Sequence, residues 1–329
     1  MIRRGQRRKL VDKVAEAVVT AAGWLSVAVL FGIFTLLLAH AVLAFGGGVE
    51  MKALSPAERA SLPQEAVAEL DARRLRPPAL GDVLSSAEWA PSARAEPSYG
   101  ILGLLASTAL TSVLALVAAV PIGLAAAGWL AFGGGTRGRF RGVVKLFVEW
   151  LAAVPSVVVG FVGLELLGPW LGELFGRPGG LSALNGGLLL GVMALPTVVS
   201  LSEDALSAVP RALVEGSLAL GADRWQTLLL VVAPAARSGL FAAVMLGLGR
   251  AIGETMTVLM ATGNAAALPA SLMDPVRTLT ATLAIELGEV PRGTTHYFML
   301  FGLGLLLFLL TLAVNLAADH VQRRGDRNG

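Results

Sequence analysis

Two charged side chains stand inside a stretch that is otherwise apolar. The stretch reads Gly247-Leu-Gly-Arg-Ala-Ile-Gly-Glu-Thr-Met256, and the charges are Arg250 and Glu254. An arginine at the centre of a bilayer costs about 2.5–3.5 kcal/mol on insertion scales, so it must face protein, water or a counter-charge. On a continuous helix Glu254 falls at i+4 from Arg250, on the same face. Gly249 and Gly253 are also four apart and let a helix or a solute approach the backbone. Two readings fit. In one, Arg250 and Glu254 form an ion pair that locks helices together. In the other, Arg250 lines a path, and its planar guanidinium fork takes the oxygens of a tetrahedral oxyanion in bidentate fashion. Glu254 then holds Arg250 when no anion is present and yields it when one arrives. Thr255 completes this candidate pathway set.

A second constellation lies at residues 209–234. Pro210 can open a helix, Arg211 to Leu220 continues it, and Gly221 is placed to end it. Asp223 and Gln226 are spaced as a capping box, which starts a second short helix, apolar from Trp225 to Val232 and ended by Pro234. The small residues Gly216, Ser217 and Ala219 leave a surface that another protein's groove can approach closely.

The chain gives little material for other chemistry. It has no cysteine, which excludes disulfides and thiolate catalysis, and its three histidines (His40, His296, His320) are too scattered in sequence to suggest a metal site. No Gly-x-x-x-x-Gly-Lys-Ser/Thr phosphate loop is present, so nothing in the chain marks an ATP site of that kind. Neither a catalytic residue, a cofactor nor a metal is expected.

The elements that must position these residues are membrane helices. Of 329 residues 55% are hydrophobic and 15% charged, with mean hydropathy +0.72; ordinary soluble domains carry about 25% charged residues. A spanning helix needs about 20 mostly apolar residues. Six stretches meet that need or nearly do: Ala17–Phe45, Gly100–Phe132, Val143–Leu167, Leu188–Ser202 (extended at its start by Asn185-Gly-Gly187), Gly239–Gly263 and Tyr297–Ala318. The first is about twice as long as the ~7–15-residue apolar region of a cleaved leader, so it reads as a span. Arg250 lies 13 residues beyond Arg237, roughly 20 Å along a helix. Pro155 and Pro196 are expected to kink the third and fourth spans, and Thr278–Leu287 reads as an apolar helical stretch of re-entrant type.

Orientation follows the basic residues. Residues 1–13 hold six basic residues and one acidic; Arg137, Arg139, Arg141 and Lys145 follow the second span; Arg211, Arg224 and Arg237 follow the fourth; Arg323, Arg324 and Arg327 end the chain. With six spans these fall on one side, which makes both termini cytoplasmic. Clustered beside apolar runs, these arginines speak for membrane topology and not for nucleic acid. The organisation expected is a basic inner terminus (1–16), a first span (17–45), an outer segment (46–97), a core of five further spans (98–320) and an inner tail (321–329). In the outer segment Ser61-Leu-Pro-Gln64 reads as a helix start, Ala66–Leu75 as its continuation and Arg76-Pro-Pro78 as its stop. Elsewhere Lys145 is spaced to pair with Glu149, Glu203 and Asp204 read as a solvated helix end, Glu286 and Glu289 precede the sixth span, and His40, His296, Trp89, Trp150 and Trp170 suit membrane boundaries or outer loops.

The segment Glu215-Gly-Ser-Leu-Ala-Leu-Gly221, with Pro234 thirteen residues further on, resembles the EAA loop of ABC importer permeases. In that loop Glu-Ala-Ala, three residues and Gly precede a Leu-Pro pair; here Gly216 and Ser217 replace the two alanines and Ala233 stands before the proline. The 247–256 string is similar to phosphate-specific permease subunits, and its Thr-Met ending is similar to the C-type (PstC-like) subunit more than to the A-type. Glu88-Trp89, Tyr99-Gly100, Val120-Pro-Ile-Gly123, Ala152-Ala-Val-Pro-Ser156 and Leu195-Pro196 continue the match, over about residues 85–320. The resemblance implies an all-α polytopic chain of six transmembrane helices with the type I ABC importer (MetI-like) fold, in a bacterial inner membrane. It implies phosphate as cargo and an A-type permease as heterodimer partner. Two ATP-binding-cassette subunits and an extracytoplasmic phosphate-binding protein complete the implied assembly. Glu215, Gly216, Ser217, Ala219, Gly221, Asp223 and Pro234 would then dock the ATPase. Importers of sulfate or molybdate remain alternatives, since all three anions present tetrahedral oxygens. A self-contained secondary transporter is a more distant one, as no internal repeat is evident. A scaffold without a pathway is argued against by Arg250 and Glu254.

Overall fold

The computed structural model describes residues 2–45, 63–64, 78–93, 97–133 and 138–327. The helix expected at Ala66–Leu75 lies outside the described residues. In chain order the elements are α1 (Ile2–Phe45), α2 (Leu80–Ser85), a hairpin of β1 (Trp89–Ala90) and β2 (Ser98–Tyr99), and α3 (Leu102–Gly128), which runs into a π-helical turn, Trp129–Gly133. Next come α4 (Gly138–Ala153), α5 (Ser156–Val162), a π turn (Gly163–Leu167), α6 (Gly168–Phe175) and α7 (Ala183–Ser207). Then α8 (Arg211–Ala219), α9 (Arg224–Thr227), a π turn (Leu228–Val232) and α10 (Ala233–Ala235) form an elbow. The chain continues through α11 (Arg237–Gly253), α12 (Met256–Ala261), α13 (Leu279–Glu286) and α14 (Thr295–Arg327). Trp89 pairs with Tyr99 and Ala90 with Ser98 in the antiparallel hairpin.

Five helical stretches are long and apolar enough to cross a membrane: Ala15–Phe45, Leu102–Phe132, Ser156–Phe175, Ala183–Ser207 and Thr295–Arg323. A sixth arises if Arg224–Ala235 and Arg237–Gly253, bent by 77°, are counted as one. All six expected stretches are therefore helical, but two are not single helices. The third was expected from Val143 to Leu167. The chain instead breaks at Pro155, whose backbone is extended (φ −60°, ψ 136°). Proline has no N–H to give and pushes the residue before it out of the helical region. The span is thus Ser156–Phe175, and α4 is a separate helix before it. Pro196 does not interrupt α7. The fifth stretch breaks too, at Glu254-Thr255, as described below.

At the centre of the bundle α3 packs against α7. Ala115 and Ala119 on α3 and Ala194 and Val198 on α7 are fully buried. The two backbones approach through glycine: a β-carbon on Gly187 would fall 2.5 Å from Leu114, and one on Gly191 would fall 3.0 Å from the Ala115 carbonyl oxygen. Small residues let membrane helices come this close and gain packing where burial from water adds nothing. Helix α1 runs along α14, with Phe34 and Phe308 rings 5.8 Å apart and His40 stacked 4.5 Å from Phe301. At the end bearing the β hairpin, Trp89, Tyr99, Ile101, Leu104, Leu279 and Leu300 form one core. At the opposite end the elbow rests on another, made by Ala127, Leu206, Leu228, Val232 and Ala236.

Candidate functional site

The helix carrying Arg250 stops three residues later. Glu254 is extended (φ −71°, ψ 133°), and a new helix starts at Met256. A break in a helix leaves carbonyl and N–H groups without their intrahelical partners. They are met locally. The Glu254 carboxylate accepts the Thr255 N–H at 3.1 Å, and the Thr280 hydroxyl donates to the Glu254 carbonyl at 2.8 Å. Thr255 adds a long hydroxyl bond to the Gly253 carbonyl, 3.4 Å.

This break removes the expected i+4 pairing. Glu254 leaves the helical path and spends a carboxylate oxygen on its own neighbour, and no ion pair joins it to Arg250. Arg250 is exposed and makes no hydrogen bond or ion pair among the described residues. The two glycines separate as well. Gly249 lies toward Asn315 and Val314 of α14, whereas Gly253 is exposed with open space where a side chain would stand. The site is therefore an unpaired guanidinium beside a gap in a helix, with Gly253 open next to it.

The elbow matches its sequence signals closely. Helix α8 follows Pro210 and buries none of its residues. Gly221 takes φ +91°, a left-handed turn that a side chain would strain. The Asp223–Gln226 capping box is formed, at 2.9 and 2.8 Å. Ser217 and Thr227 hydroxyls meet at 3.0 Å and tie the two short helices together. Glu215, Gly216, Ala219 and Leu220 are exposed, Leu220 at 91%. Pro234 does not end the second helix: it lies within the last turn, which closes at Ala235 before the 77° bend into α11. Proline is tolerated there because the first residues of a helical turn need no N–H partner. A cleft of about 470 Å³ opens at the root of the elbow, lined by Leu201, Asp204, Val209, Ser238 and Gln322 among others, and does not reach Arg250.

Two charge clusters were missed by the sequence reading. Glu203 is no solvated helix end: its side chain is 6% exposed and accepts Arg141 at 2.9 Å and Lys145 at 3.3 Å. Lys145 thus pairs with Glu203 and not with Glu149. At the hairpin end Glu286 gathers Trp89, Arg277 and His296. Arg141 and Lys145 lie 62 and 58 residues from Glu203, and Trp89 lies 197 from Glu286, while Arg277 and His296 are 9 and 10 residues from Glu286 and outside the i+3/i+4 spacing of one helix face, so no local spacing announces them. No group of side chains able to hold a metal occurs among the described residues.

Comparison with known proteins agrees with this architecture. Residues 119–327 match the model of the binding-protein-dependent transport system inner membrane component. The chain is 36% identical over 243 residues to a probable ABC transporter permease protein, YqgH, of Bacillus subtilis, covering 74% of this chain and 78% of that one. It is 33% identical over 265 residues to the phosphate transport system permease protein PstC of Mesorhizobium japonicum, with the same two coverages. It is 36% identical over 251 residues to PstC 1 of Mycobacterium tuberculosis, covering 70% of this chain and 74% of that one. Among solved structures, a chain of the MetNI methionine ABC transporter in inward-facing conformations superposes with a TM-score of 0.51 at 20% identity, covering 69% of this chain and 94% of that one, which speaks to the fold alone. With this fold, a multi-pass helical bundle and a family match over most of its length, the chain belongs to the inner-membrane components of binding-protein-dependent transport systems.

Proposed function

We propose that this chain is the membrane subunit through which an ATP-driven importer passes inorganic phosphate, and that Arg250 is the charge the anion meets on its way. The observation that carries this reading is an exposed arginine with no partner among the described residues, at a helix break, in a family of transport components. An unpaired guanidinium is not stable against lipid tails. It needs a second permease subunit of the A type across the open face of α11, and an aqueous path between the two. Several relatives carry phosphate transport in their names, which selects phosphate among tetrahedral anions. Glu254, Gly249, Gly253 and Thr255 shape the break, and Glu254 sits one residue beyond the end of α11.

The elbow is the transmission point. Glu215, Gly216, Ser217, Ala219, Gly221, Asp223 and Pro234 present a firm surface to one of two separate ATPase subunits. The elbow's apolar underside, through Leu228, Val232 and Ala236, bears on Ala127 of α3 and Leu206 of α7. A push there moves the bundle core. In this reading the elbow end and both termini are cytoplasmic, residues 46–97 are extracytoplasmic, and an external phosphate-binding protein meets the hairpin end.

The test is phosphate uptake by the complete transporter in vesicles. Arg250→Gln should reduce uptake at least tenfold, as expected for losing a hydrogen bond from a charged group worth about 1.5–3 kcal/mol. Assembly with the ATPase subunits should be unaltered. Unchanged uptake by Arg250→Gln sinks the role of Arg250, and competition of uptake by sulfate or molybdate as strong as by phosphate sinks the choice of cargo.

A further inference from the structure

Glu286 lies at the end of α13, side chain 14% exposed, and each of its oxygens accepts two donors. Oε1 takes the Trp89 indole N–H at 3.1 Å and Arg277 Nη1 at 3.0 Å. Oε2 takes the same indole at 2.9 Å and His296 Nε2 at 2.8 Å. An ionised carboxylate can only accept, so Nε2 is the protonated nitrogen of His296. Four segments meet at this carboxylate: the hairpin, the loop before α13, the end of α13 and the start of α14. Arg277 also donates to the Asn264 carbonyl at 2.9 Å, which secures the loop itself.

The other end of α13 reaches the break that carries Arg250. Val276 N–H bonds the Thr262 carbonyl at 2.8 Å, just past the end of α12. Four residues later Thr280 is at the Glu254 carbonyl. The chain therefore descends alongside α12 from its end to the break, and α13 climbs back to Trp89. Leu279 N–H bonds the Thr108 hydroxyl of α3 at 3.0 Å, and Thr278 caps the helix through Ala281 N–H at 3.2 Å. Leu279, Thr280, Ala281 and Thr282 are buried. Helix α13 is thus a short strut, fixed to a carboxylate at one end and to a broken helix at the other.

The geometry points to Glu286 as a positioning residue for Arg250. By clamping the far end of α13, it holds Thr280 on the Glu254 carbonyl, keeps the break open, and sets the direction in which the guanidinium is presented. The proposal rests on the reading of Arg250 as the charge met by phosphate. It adds that the grip at the hairpin end is mechanically continuous with that site.

The experiment uses the complete transporter and reads phosphate moved per ATP hydrolysed. A loss of folded or assembled complex lowers both quantities together and leaves this ratio unmoved. Glu286→Gln keeps the size but places an amide N–H against donors. Together with Thr280→Val at the other end of the strut, it should lower the ratio by about threefold or more, within the range for members of one hydrogen-bonded network. Glu286→Asp should recover part of the loss. The decisive arm is a cycle with Arg250→Lys, which keeps charge and loses the fork. If Glu286 acts through Arg250, Glu286→Gln has little further effect in the Arg250→Lys background. Additive losses, or a ratio unchanged in both strut variants, overturn the proposal while leaving the Arg250 reading intact. If Arg250→Lys and Arg250→Gln both leave uptake unaltered, the Arg250 reading itself falls and the proposal falls with it. A Glu286→Gln chain that fails to assemble leaves Thr280→Val to decide.

Discussion

At the scale of single residues, burial decides which groups can change charge. Tyr99 is buried beside Trp89 in the hairpin-end core, and its phenol is pushed up to about 12 by that burial. Its folded value lies above the unfolded value near 10. The stability it contributes is complete below about pH 10 and is lost as the pH rises through about 12, on the order of 2–3 kcal/mol. Tyr99 and Tyr297 are the two tyrosines of the chain, so Tyr297→Phe isolates the titration. Tyrosinate absorbance should then appear above pH 11 and coincide with loosening of the hairpin, and a titration near pH 10 would contradict the burial seen here. Gly216 gives a second test. Its β-carbon position is empty, and on its helix only Val214 and Ser217 are partly covered. Gly216→Ala should therefore stabilise α8 by about 0.5–1 kcal/mol, read as a higher unfolding midpoint of the detergent-solubilised chain. A lower midpoint would show that the exposed face is less open than it stands here.

At the scale of elements, what matters is how each helix is tied to its neighbours. Helix α4 is stapled to α7 by Arg141 and Lys145, both about half-exposed, around a Glu203 that is nearly buried. Removing both cations strands a buried carboxylate, whereas Glu203→Gln only frees two cations at the surface. The double substitution Arg141→Ala, Lys145→Ala should cost on the order of 1–3 kcal/mol, below the full figure for a buried pair because the partners are wet. Glu203→Gln should cost less; the reverse order in thermal unfolding would refute the account. On the elbow, Leu220 at the tip is the most exposed of several apolar side chains, with Leu213, Leu218, Trp225, Leu229 and Leu230, that the proposed ATPase docking would cover. Burying a leucine is worth about 1.5–3 kcal/mol, so Leu220→Asp should weaken ATPase co-purification roughly ten- to a hundredfold without unfolding the elbow. The elbow was legible in the sequence because its signals are local: Gly221 sets the turn, and Asp223 and Gln226 cap each other across three residues. The break at Glu254 was not, because it depends on a hydroxyl 26 residues away. For the same reason the Gly247–Met256 string looked like one helix with paired charges, while the fold pulls Glu254 away from Arg250. The split at Pro155 was signalled by the proline itself, and what sequence could not settle was whether the helix bends or stops.

At the scale of the whole molecule, the two ends of the bundle carry similar numbers of acids but differ in basic residues, which set orientation. The elbow end carries Arg141, Lys145, Arg211, Arg224, Arg237 and Arg323. The hairpin end carries Arg177, Arg277 and Arg292, with Asp82, Glu88, Glu173, Asp274, Glu286 and Glu289 among them. Short flanks rich in lysine and arginine stay on the cytoplasmic side during insertion. The path agrees with this only if α11 and α12 together complete a sixth crossing beside the five long apolar helices, since five crossings would place the two chain ends on opposite sides. Orientation and the broken fifth span are therefore one question, and one measurement answers both. The chain has no cysteine, so a single introduced thiol on this subunit reports its own side. In sealed right-side-out vesicles a membrane-impermeant thiol reagent should label Glu88→Cys and Gly293→Cys at the hairpin end. It should reach Ala222→Cys in the elbow and Asp319→Cys on the last helix only after the membrane is opened. Labelling of Ala222→Cys from outside would invert the molecule and place the elbow where no ATPase can reach it. Labelling of Asp319→Cys from outside with Ala222→Cys protected would mean that residues 237–261 do not cross, and Arg250 would then lose the bilayer depth on which its role depends.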